Sequence, residues 1–253
     1  MKFSSTDLER YSRTIILPEV GGAGQEKIFN ARVTVIGAGG LGSPLIIYLA
    51  AAGVGKITVI DHDIVDISNL QRQIIHNSKD VGKYKSLNAK SFAHKLNPNV
   101  NVKAIKDKIS SINAKEIIKE SDIVADGSDN FKTRFLVADT CFKLKKILVS
   151  AAITRYEGQI STWKNSKILP CFRCLFPNMP ENNFNFSCAN NGVLGSLAGF
   201  LGSLQATEVI KEILGIGISL AGFLNIYDLL NNNFRKIKVP KDPKCKFCGN
   251  AKN

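Results

Sequence analysis

This chain of 253 residues lacks both a secretory signal and a clear membrane segment. No apolar run follows Lys2 at the N-terminus, so the sequence predicts a cytoplasmic protein. Residues 190–207 carry no charge, but five Gly or Ser residues stand between Gly195 and Ser203, and the stretch is barely long enough to span a bilayer. This composition favours a helix buried in the core or at a subunit interface, and no membrane partner is expected.

Histidine and arginine are also scarce, with 3 His and 8 Arg beside 26 Lys in a chain of formal charge +13. His62, His76 and His94 form no obvious catalytic relay, so each is interpreted as a surface or capping group. The lysines are spread along the whole chain, which is typical of a solvated surface, and no nucleic-acid partner is expected. Where Lys is the default cation, the few Arg residues, such as Arg13 and Arg72, become candidates for binding phosphate.

Four of the six cysteines form two Cys-x-x-Cys pairs. The cytosol keeps thiols reduced, so such pairs indicate metal or redox chemistry there. Two pairs supply the four soft ligands of a tetrahedral Zn²⁺, with no open position for water. The sequence therefore predicts a structural zinc site that ties a loop to the C-terminus, and the alternative is two unrelated redox or free-thiol pairs. The predicted ligands are Cys171, Cys174, Cys245 and Cys248.

The other two cysteines carry weaker signals. Cys141 lies in a predicted helix and is interpreted as a small buried residue. Cys188 stands near the end of residues 170–191, which are rich in Pro, Asn and Phe and predict a mobile loop. Its position would suit an exposed nucleophile, but no neighbouring His lowers its pKa. Whether Cys188 acts as a nucleophile or has no chemical role therefore stays open.

A Gly-Ala-Gly-Gly-Leu-Gly turn at residues 37–42 joins a predicted strand to a predicted helix. Backbone amides in such a turn can approach a phosphate, and Asp61 at the end of the next strand can hold ribose hydroxyls. Any dinucleotide fold would show these two features. Asn69, Arg72 and Gln73 are spaced so that one helical face could present them to a triphosphate, and Lys85 follows. This order favours ATP over NAD.

Strands and helices alternate in the first half of the chain. Strands are predicted at residues 32–36, 57–60, 100–105 and 123–126, and helices at residues 41–52, 85–96 and 114–120. This alternation predicts an α/β protein with a Rossmann-like, doubly wound parallel sheet in a nucleotide-binding half of about residues 1–150. Strands predicted at 158–163, 223–227 and 234–239 indicate an antiparallel second half, about residues 151–253, continuous with the first sheet in a single domain.

In their order along the chain, these motifs resemble those of the ThiF/MoeB adenylyltransferases, which are relatives of the ubiquitin-activating enzymes. The resemblance rests on residues 10–17, the glycine turn, residues 68–73, the Ser-Asp-Asn sequence at 128–130 and both cysteine pairs. It runs from about Leu8 to Gly249. A lone glycine motif would be weakly specific, whereas this fixed order is highly specific.

The resemblance implies an ATP-dependent reaction on a ubiquitin-like sulfur-carrier protein that ends in Gly-Gly. The carrier's carboxylate would become an acyl-adenylate with release of pyrophosphate, and sulfur would then attack it. Such a site neutralises phosphate charge and needs no His base. The nucleotide contacts implied are Gly40, Asp61, Asn69, Arg72, Gln73 and Lys85, with Asp129 and Asn130 at the cofactor and Asp129 on Mg²⁺. The implied catalytic residues are Arg13 from the second subunit of a homodimer, Arg72, Lys85 and Asp129, and related enzymes place a cysteine at the position of Cys188 that can take the activated carrier.

Other functions stay open at this point. The glycine turn could serve an NAD-dependent oxidoreductase, because Asp61 alone suits NAD equally well, and Asp129 alone could be a helix N-cap. A non-catalytic carrier-binding scaffold is a third class. The motifs do not separate thiamine from molybdopterin biosynthesis. No rhodanese-like segment follows Gly249, so a separate sulfur donor, a cysteine desulfurase or a rhodanese-type protein, is expected.

Overall fold

A computed structural model describes residues 3–180 and 192–249 of the chain. Its strands are β1 (Arg32–Ile36), β2 (Lys56–Ile60), β3 (Asn101–Ile105), β4 (Ile123–Asp126), β5 (Ile147–Thr154), β6 (Glu157–Trp163), β7 (Phe223–Asp228) and β8 (Asn233–Lys238). Its α-helices are α1 (Ser5–Ile15), α2 (Gly21–Asn30), α3 (Gly42–Ala51), α4 (Lys85–Leu96), α5 (Ala114–Ile118), α6 (Phe131–Lys143), α7 (Phe172–Leu175) and α8 (Gly195–Leu214). The strands form one mixed sheet in the order β3-β2-β1-β4-β5-β6-β7-β8.

The first five strands pair in parallel, which confirms the doubly wound sheet predicted from the alternation of strands and helices. Val33 and Val35 of β1 are buried, and this central strand reads as an almost continuous apolar run because helices cover both faces of such a sheet. The strand order reverses at β1, which lies between β2 and β4. Open parallel sheets bind ligands at this kind of reversal, in the crevice at the carboxyl ends of the strands.

The uncharged stretch near residue 200 forms the buried helix α8, as predicted. α8 packs against α3 and β5, and its residues Leu197 and Leu201 are fully buried. The buried amide of Gln205 donates to the carbonyl oxygens of Asp126 and Val149, at 3.0 Å each. α8 is therefore tied to the last residue of β4 and to the interior of β5. In the described ranges, no helix has the length and apolar character needed to cross a membrane.

Strands β5 to β8 pair in antiparallel fashion and continue the parallel part, so the predicted change of pairing after Val149 is confirmed. β5 and β6 form a hairpin that places Leu148 opposite Trp163. β8 lies at the edge of the sheet, and all six of its residues are exposed. The two halves of the chain thus share one sheet.

The predicted mobile loop at residues 170–191 is wrong in its first part, where α7 forms. Phe172 of α7 is 6% exposed and packs edge-on against Phe135 and Trp163, with ring centroids 5.2 and 5.6 Å apart. This aromatic burial holds the segment against the core, and composition alone did not reveal it. The rest of the predicted loop, residues 181–191, lies outside the described residues.

Candidate functional site

A cavity opens beside the glycine turn, at the carboxyl ends of β1, β2 and β4. It collects residues from seven separate parts of the sequence. The predicted site residues that line it are Gly40, Asp61, Arg72, Gln73, Lys85, Asp129 and Asn130. The tertiary structure therefore brings together most of the predicted nucleotide-binding set.

The glycine turn requires glycine at two positions for steric reasons. Gly37 has a φ of 91°, in the left-handed region that residues with a side chain rarely adopt. A Cβ atom on Gly42 would lie 2.0 Å from the carbonyl oxygen of Gly37. Because both side chains are absent, β1 can turn directly into α3, and Gly39 and Gly40 line the cavity. The N-terminus of α3 then faces a space where its dipole favours an anion.

Asp61 directly follows β2 and holds the glycine turn. Its Oδ2 accepts a hydrogen bond from the Ala38 amide at 2.7 Å, and its Oδ1 accepts one from the Asp63 amide at 2.8 Å. Burial raises the pKa of Asp61 above its usual value, although these two bonds and the charge of Lys85 act in the opposite direction. Each carboxyl oxygen keeps a lone pair, so Asp61 can still accept a hydrogen bond from a ribose hydroxyl.

Asp63 follows Asp61 closely in the sequence and lines the cavity, but the sequence pattern gave it no role. Lys85 begins α4 with a side chain only 8% exposed, and its Nζ lies 2.9 Å from Asp63 Oδ2. Burial opposes ionisation of Asp63, but the hydrogen bond and charge of Lys85 outweigh it and hold the pKa of Asp63 below its usual value. The ion pair fixes the Lys85 ammonium at the cavity. Its partners are 22 residues apart, so no helical or strand spacing could have revealed the pair.

The predicted helical face that would carry Asn69, Arg72 and Gln73 is wrong. The segment is a short 3-10 helix, Ile67–Asn69, followed by turns, and Asn69 Oδ1 accepts a hydrogen bond from the Asp66 amide at 3.3 Å. Local capping thus occupies Asn69, which is not among the cavity-lining residues, and its predicted phosphate contact stays a prediction. Gln73 lines the cavity, and its buried Oε1 has no hydrogen-bond partner within the described part of the chain.

Asp129 and Asn130 are exposed at the mouth of the cavity, in the loop after β4. Asn130 is the N-cap of α6, because its Oδ1 accepts a hydrogen bond from the Thr133 amide at 2.9 Å. The alternative that Asp129 is the cap is therefore wrong, and its carboxylate remains at the cavity. Carboxylate oxygens are the ligands that Mg²⁺ prefers, so Asp129 suits the predicted role.

Arg134 and Asp126 support this loop, and neither was predicted as a site residue. The guanidinium of Arg134 donates to the carbonyl oxygens of Ser128 and Ala151, and Arg134 itself lines the cavity. Asp126 is fully buried beneath the loop and accepts a hydrogen bond from the Ser128 amide at 2.9 Å. Burial raises the pKa of Asp126. These contacts join β4, β5 and α6, and only the packed structure brings those elements together.

The two cysteine pairs meet in one cluster, with all four Sγ atoms within 4.8 Å of one another. The Sγ distances are 3.9 Å for Cys171 to Cys174, 3.6 Å for Cys171 to Cys245 and 3.3 Å for Cys174 to Cys248. Arg173, between the first two cysteines, donates to both carboxylate oxygens of Asp139 on α6, at 2.9 and 2.7 Å. The two pairs are therefore not separate in space, and four sulfur atoms face one another at this point.

Three other predicted residues lie apart from the cavity or outside the described residues. Arg13 is exposed on α1 and is not among the cavity-lining residues. Cys141 is 1% exposed, which confirms it as a small buried residue. Cys188 falls in residues 181–191, outside the described residues.

The three histidines divide into two kinds of environment. His62 and His94 are exposed, as expected. The prediction is wrong for His76, which is only 5% exposed. Its ring lies beneath the glycine turn, with Nε2 at 3.1 Å from the carbonyl oxygen of Ala38.

Replacing Asp63 with Asn should lower the free energy of unfolding by about 1 kcal/mol at pH 7, because the buried Lys85 ammonium loses a half-exposed charged partner. The pKa of Asp63 is lowered in the folded protein, so its contribution is complete above the unfolded value of about 3.9 and is lost as the pH falls below it. Urea unfolding of both proteins at pH 7 and in acid should therefore give a difference that shrinks in acid.

A double-mutant cycle with Lys85→Met provides the control. Once Lys85 is neutral, Asp63→Asn should cost much less at pH 7. An equal cost with and without the Lys85 charge would contradict the ion pair as the source of the effect.

Comparisons with known proteins agree with this geometry. The model of the ThiF family matches residues 11–247. The chain is 46% identical to the sulfur carrier protein adenylyltransferase of Thermus thermophilus, covering 98% of this chain and 93% of that protein. It is 45% identical to the SAMP-activating enzyme E1 of Haloferax volcanii, covering 98% of this chain and 92% of that protein. A structure of E. coli MccB with AMPCPP and MccA, 25% identical, superposes with a TM-score of 0.84 over 95% of this chain and 74% of that one. The family match extends over nearly the whole chain, and the protein belongs to the ThiF family.

Proposed function

We propose that this protein uses ATP to adenylylate the C-terminal carboxylate of a ubiquitin-like sulfur-carrier protein that ends in Gly-Gly. The observation that carries the proposal is the cavity in which the glycine turn, Arg72, Lys85 and Asp129 meet. A relative of this chain in Thermus thermophilus is named a sulfur carrier protein adenylyltransferase and matches almost the whole chain. The cavity supplies the groups that such a reaction on ATP needs.

The reaction joins two anions, so charge neutralisation is its main requirement. A carrier carboxylate oxygen bonds to the α-phosphorus of ATP, and the bond from that phosphorus to the bridging oxygen of the β-phosphate breaks. Pyrophosphate leaves with the electron pair of that bond, so the carboxylate needs no base. Arg72 and Lys85 offset the negative charge of the phosphates, and the glycine turn admits their oxygens close to the backbone at Gly40. Mg²⁺, when bound at Asp129, supplies the divalent charge that phosphate transfer commonly uses.

An NAD-dependent oxidoreductase is not favoured by this site. A dinucleotide site requires the glycine turn and an acid at the ribose, which Asp61 could provide. It does not require the two fixed cations, Arg72 and Lys85, together with Asp129 around the same space. The same residues disfavour a non-catalytic scaffold, because binding a carrier alone needs no phosphate-neutralising groups.

Asp129→Ala should lower carrier-dependent ATP–pyrophosphate exchange by about 10²- to 10³-fold, because the phosphate charge loses its divalent partner. The assay uses purified carrier, with a carrier lacking its last Gly as the blank. Asp107→Ala removes another carboxylate from the same cavity and should keep the rate within a few-fold of wild type. Exchange near the wild-type rate in Asp129→Ala would refute the assignment of Asp129, and no exchange in the wild type would refute the function.

A homodimer in which Arg13 acts across the subunit boundary is part of the proposal. Arg13 is exposed on α1 and is not among the cavity-lining residues of its own chain. Three large exposed apolar side chains, Ile64, Ile67 and Ile74, lie in the segment that follows the cavity-lining Asp63 and contains the cavity-lining Gln73. Apolar side chains in such numbers beside a charged cavity suit a subunit interface, where the partner's guanidinium could reach the phosphates.

Mixing Arg13→Ala chains with Arg72→Ala chains tests this arrangement. A mixed dimer contains one site with Arg72 of one chain and Arg13 of the other, so random mixing should restore up to about a quarter of the wild-type exchange rate. Each variant alone should be nearly inactive, and native mass spectrometry should verify that subunits exchange. Mixed dimers that recover no activity would place Arg13 in its own chain's site or outside both.

We also propose that the cysteine cluster holds a structural Zn²⁺. Tetrahedral zinc bonds of about 2.3 Å to sulfur place the sulfur atoms about 3.8 Å apart. The three Sγ distances given above, 3.3 to 3.9 Å, are close to that spacing. Cys171 and Cys245 are buried, and four thiolates leave no ligand position for water, so the metal would join α7 to the C-terminal segment and take no part in the chemistry.

Cys248→Ser should remove most of the bound zinc and lower the melting temperature by about 5–10 °C, which corresponds to a few kcal/mol in a protein of this size. Elemental analysis and thermal unfolding of freshly reduced protein provide the measurement. Cys141→Ala is the matched control, because Cys141 is a buried thiol outside the cluster and should leave the zinc content unchanged. Wild-type protein that contains no zinc when purified would contradict the site.

The sulfur-transfer step completes the proposed role. Sulfur from a separate donor, a cysteine desulfurase or a rhodanese-type protein, would then bond to the acyl carbon of the acyl-adenylate, and AMP would leave with the electron pair of the broken C–O bond. Cys188 as an acceptor of the activated carrier stays a prediction, because adenylation itself uses no thiol. Thiamine and molybdopterin biosynthesis both use such carriers, and the identity of the carrier would decide between them.

A further inference from the structure

The peptide unit of Ala38, at the centre of the glycine turn, is held from two sides by side chains. Its amide donates to Asp61 Oδ2 at 2.7 Å, and its carbonyl oxygen lies 3.1 Å from the Nε2 atom of His76. His76 and Ala38 are buried, and Asp61 is partly buried. Asp61 already has a role at the ribose, whereas His76 has none in the proposed chemistry. Its ring contacts the same peptide from the opposite end.

The neighbouring Asn88 determines which nitrogen of His76 carries the proton. The amide nitrogen of Asn88 lies 3.3 Å from the carbonyl oxygen of Ile75 and 3.2 Å from an Asp80 carboxylate oxygen, and both of these atoms can only accept. The Asn88 amide is therefore oriented with its NH₂ group toward them and toward His76 Nδ1, which is 2.8 Å away. The NH₂ group has two hydrogens for these three acceptors, and its shortest contact is the one to Nδ1. Nδ1 therefore accepts, so the proton sits on Nε2, which donates it to the carbonyl oxygen of Ala38.

The same contacts disfavour the imidazolium form. A proton on Nδ1 would face the NH₂ group of Asn88, and turning that amide over would set its oxygen against the Ile75 carbonyl and the Asp80 carboxylate. Burial lowers the pKa of His76, and the charge of Lys85 acts in the same direction, whereas the Ala38 bond and Asp80 oppose them. His76 is thus a neutral donor of one fixed tautomer.

His76 also belongs to the segment that carries the phosphate-facing residues. Its own amide donates to the carbonyl oxygen of Gln73 at 3.0 Å, directly after Arg72. The bond from its ring to Ala38 therefore joins this turn to the glycine turn. The two segments reach the cavity from β1 and from the chain after β2. Their relative position must be fixed if backbone amides of one and the Arg72 guanidinium of the other are to contact the same triphosphate.

We propose that His76 is a positioning residue for ATP, which uses its Nε2–H to clamp the glycine turn at Ala38 to the segment bearing Arg72 and Gln73. The inference rests on the proposed function only for ATP as the nucleotide, and it does not involve the carrier. His76 touches neither the phosphates nor a reacting atom. Its effect is the placement of the groups that do.

Two substitutions separate the hydrogen bond from the packing of the ring. His76→Gln can present an amide NH₂ group near the position of Nε2 and so retain the donor to Ala38. His76→Asn can present an oxygen near the position of Nδ1 to Asn88, but its side chain is too short to reach Ala38. Both remove the imidazole ring, so both should lower the melting temperature to a similar extent. His94→Asn, at an exposed position, is the control for loss of a histidine.

The measurement is the dissociation constant of ATP with Mg²⁺ for the full chain by calorimetry, beside thermal unfolding. His76→Gln should bind within about threefold of wild type, whereas His76→Asn should bind about tenfold more weakly, which is the effect of one hydrogen bond. Binding by His76→Asn within threefold of wild type would overturn the proposal. Equal weakening in both variants would also overturn it, because the donor would then not matter.

A second measurement decides the matter if His76→Asn fails to fold. The ¹⁵N shifts of the histidine rings in the wild-type protein at pH 7.5 report the tautomer directly. A neutral His76 with its proton on Nε2 supports the proposal, and a proton on Nδ1 or on both nitrogens overturns it. Asn88→Ala should raise the pKa of His76, because it removes the donor that faces Nδ1. The same ¹⁵N shifts followed over a range of pH measure this change.

Failure of the proposed function gives a different result. If the wild type binds ATP but shows no carrier-dependent pyrophosphate exchange, adenylylation of the carrier is wrong while the comparison of His76→Gln with His76→Asn remains readable. The two conclusions therefore stand on separate observations.

Discussion

The close approach of two backbone segments at Gly37 and Gly42 is the constraint on which the cavity depends. A methyl group on Gly42 would collide with the Gly37 carbonyl, and the chain could not then pass from β1 into α3 within this turn. The cavity exists because the turn is short, and the helix N-terminus faces it for the same reason. Asp61 and His76 hold the peptide of Ala38 in that turn by side-chain hydrogen bonds.

One ion pair, between Lys85 and Asp63, holds a cation in place at the cavity. Lys85 is almost fully buried and is held by Asp63, so its ammonium has little freedom to move before a phosphate arrives. Such preorganisation is useful because the groups need not reorganise as charge develops. The ion pair also orients Lys85 without neutralising the site, since Asp63 is half exposed and water screens it.

Helix α6 connects the cavity to the cysteine cluster. Its N-cap, Asn130, lies at the mouth of the cavity, and Asp139 in its second half binds Arg173 between Cys171 and Cys174. The same guanidinium lies over the ring of Phe135, 4.3 Å from its centroid. A structural metal at the cluster would therefore stabilise the antiparallel half and, through α6, the loop that carries Asp129.

The sequence by itself determined many of the strands and helices around the cavity and the chemical class of the site. β1 and α4 have the predicted bounds, because apolar runs and the Asn-Pro stop after residue 96 are local signals. The glycine turn and the cysteine pairs could also be interpreted from the sequence, since their chemistry depends on residue type and short spacing.

Only the tertiary structure decided the contacts between distant segments. Asp63 with Lys85, Arg134 with Ser128 and Ala151, and His76 with Ala38 are such contacts, and the capping of Asn69 and the aromatic burial of α7 changed two local predictions. Periodicity reports which face of an element is apolar, whereas the partner of a polar side chain depends on how the elements pack.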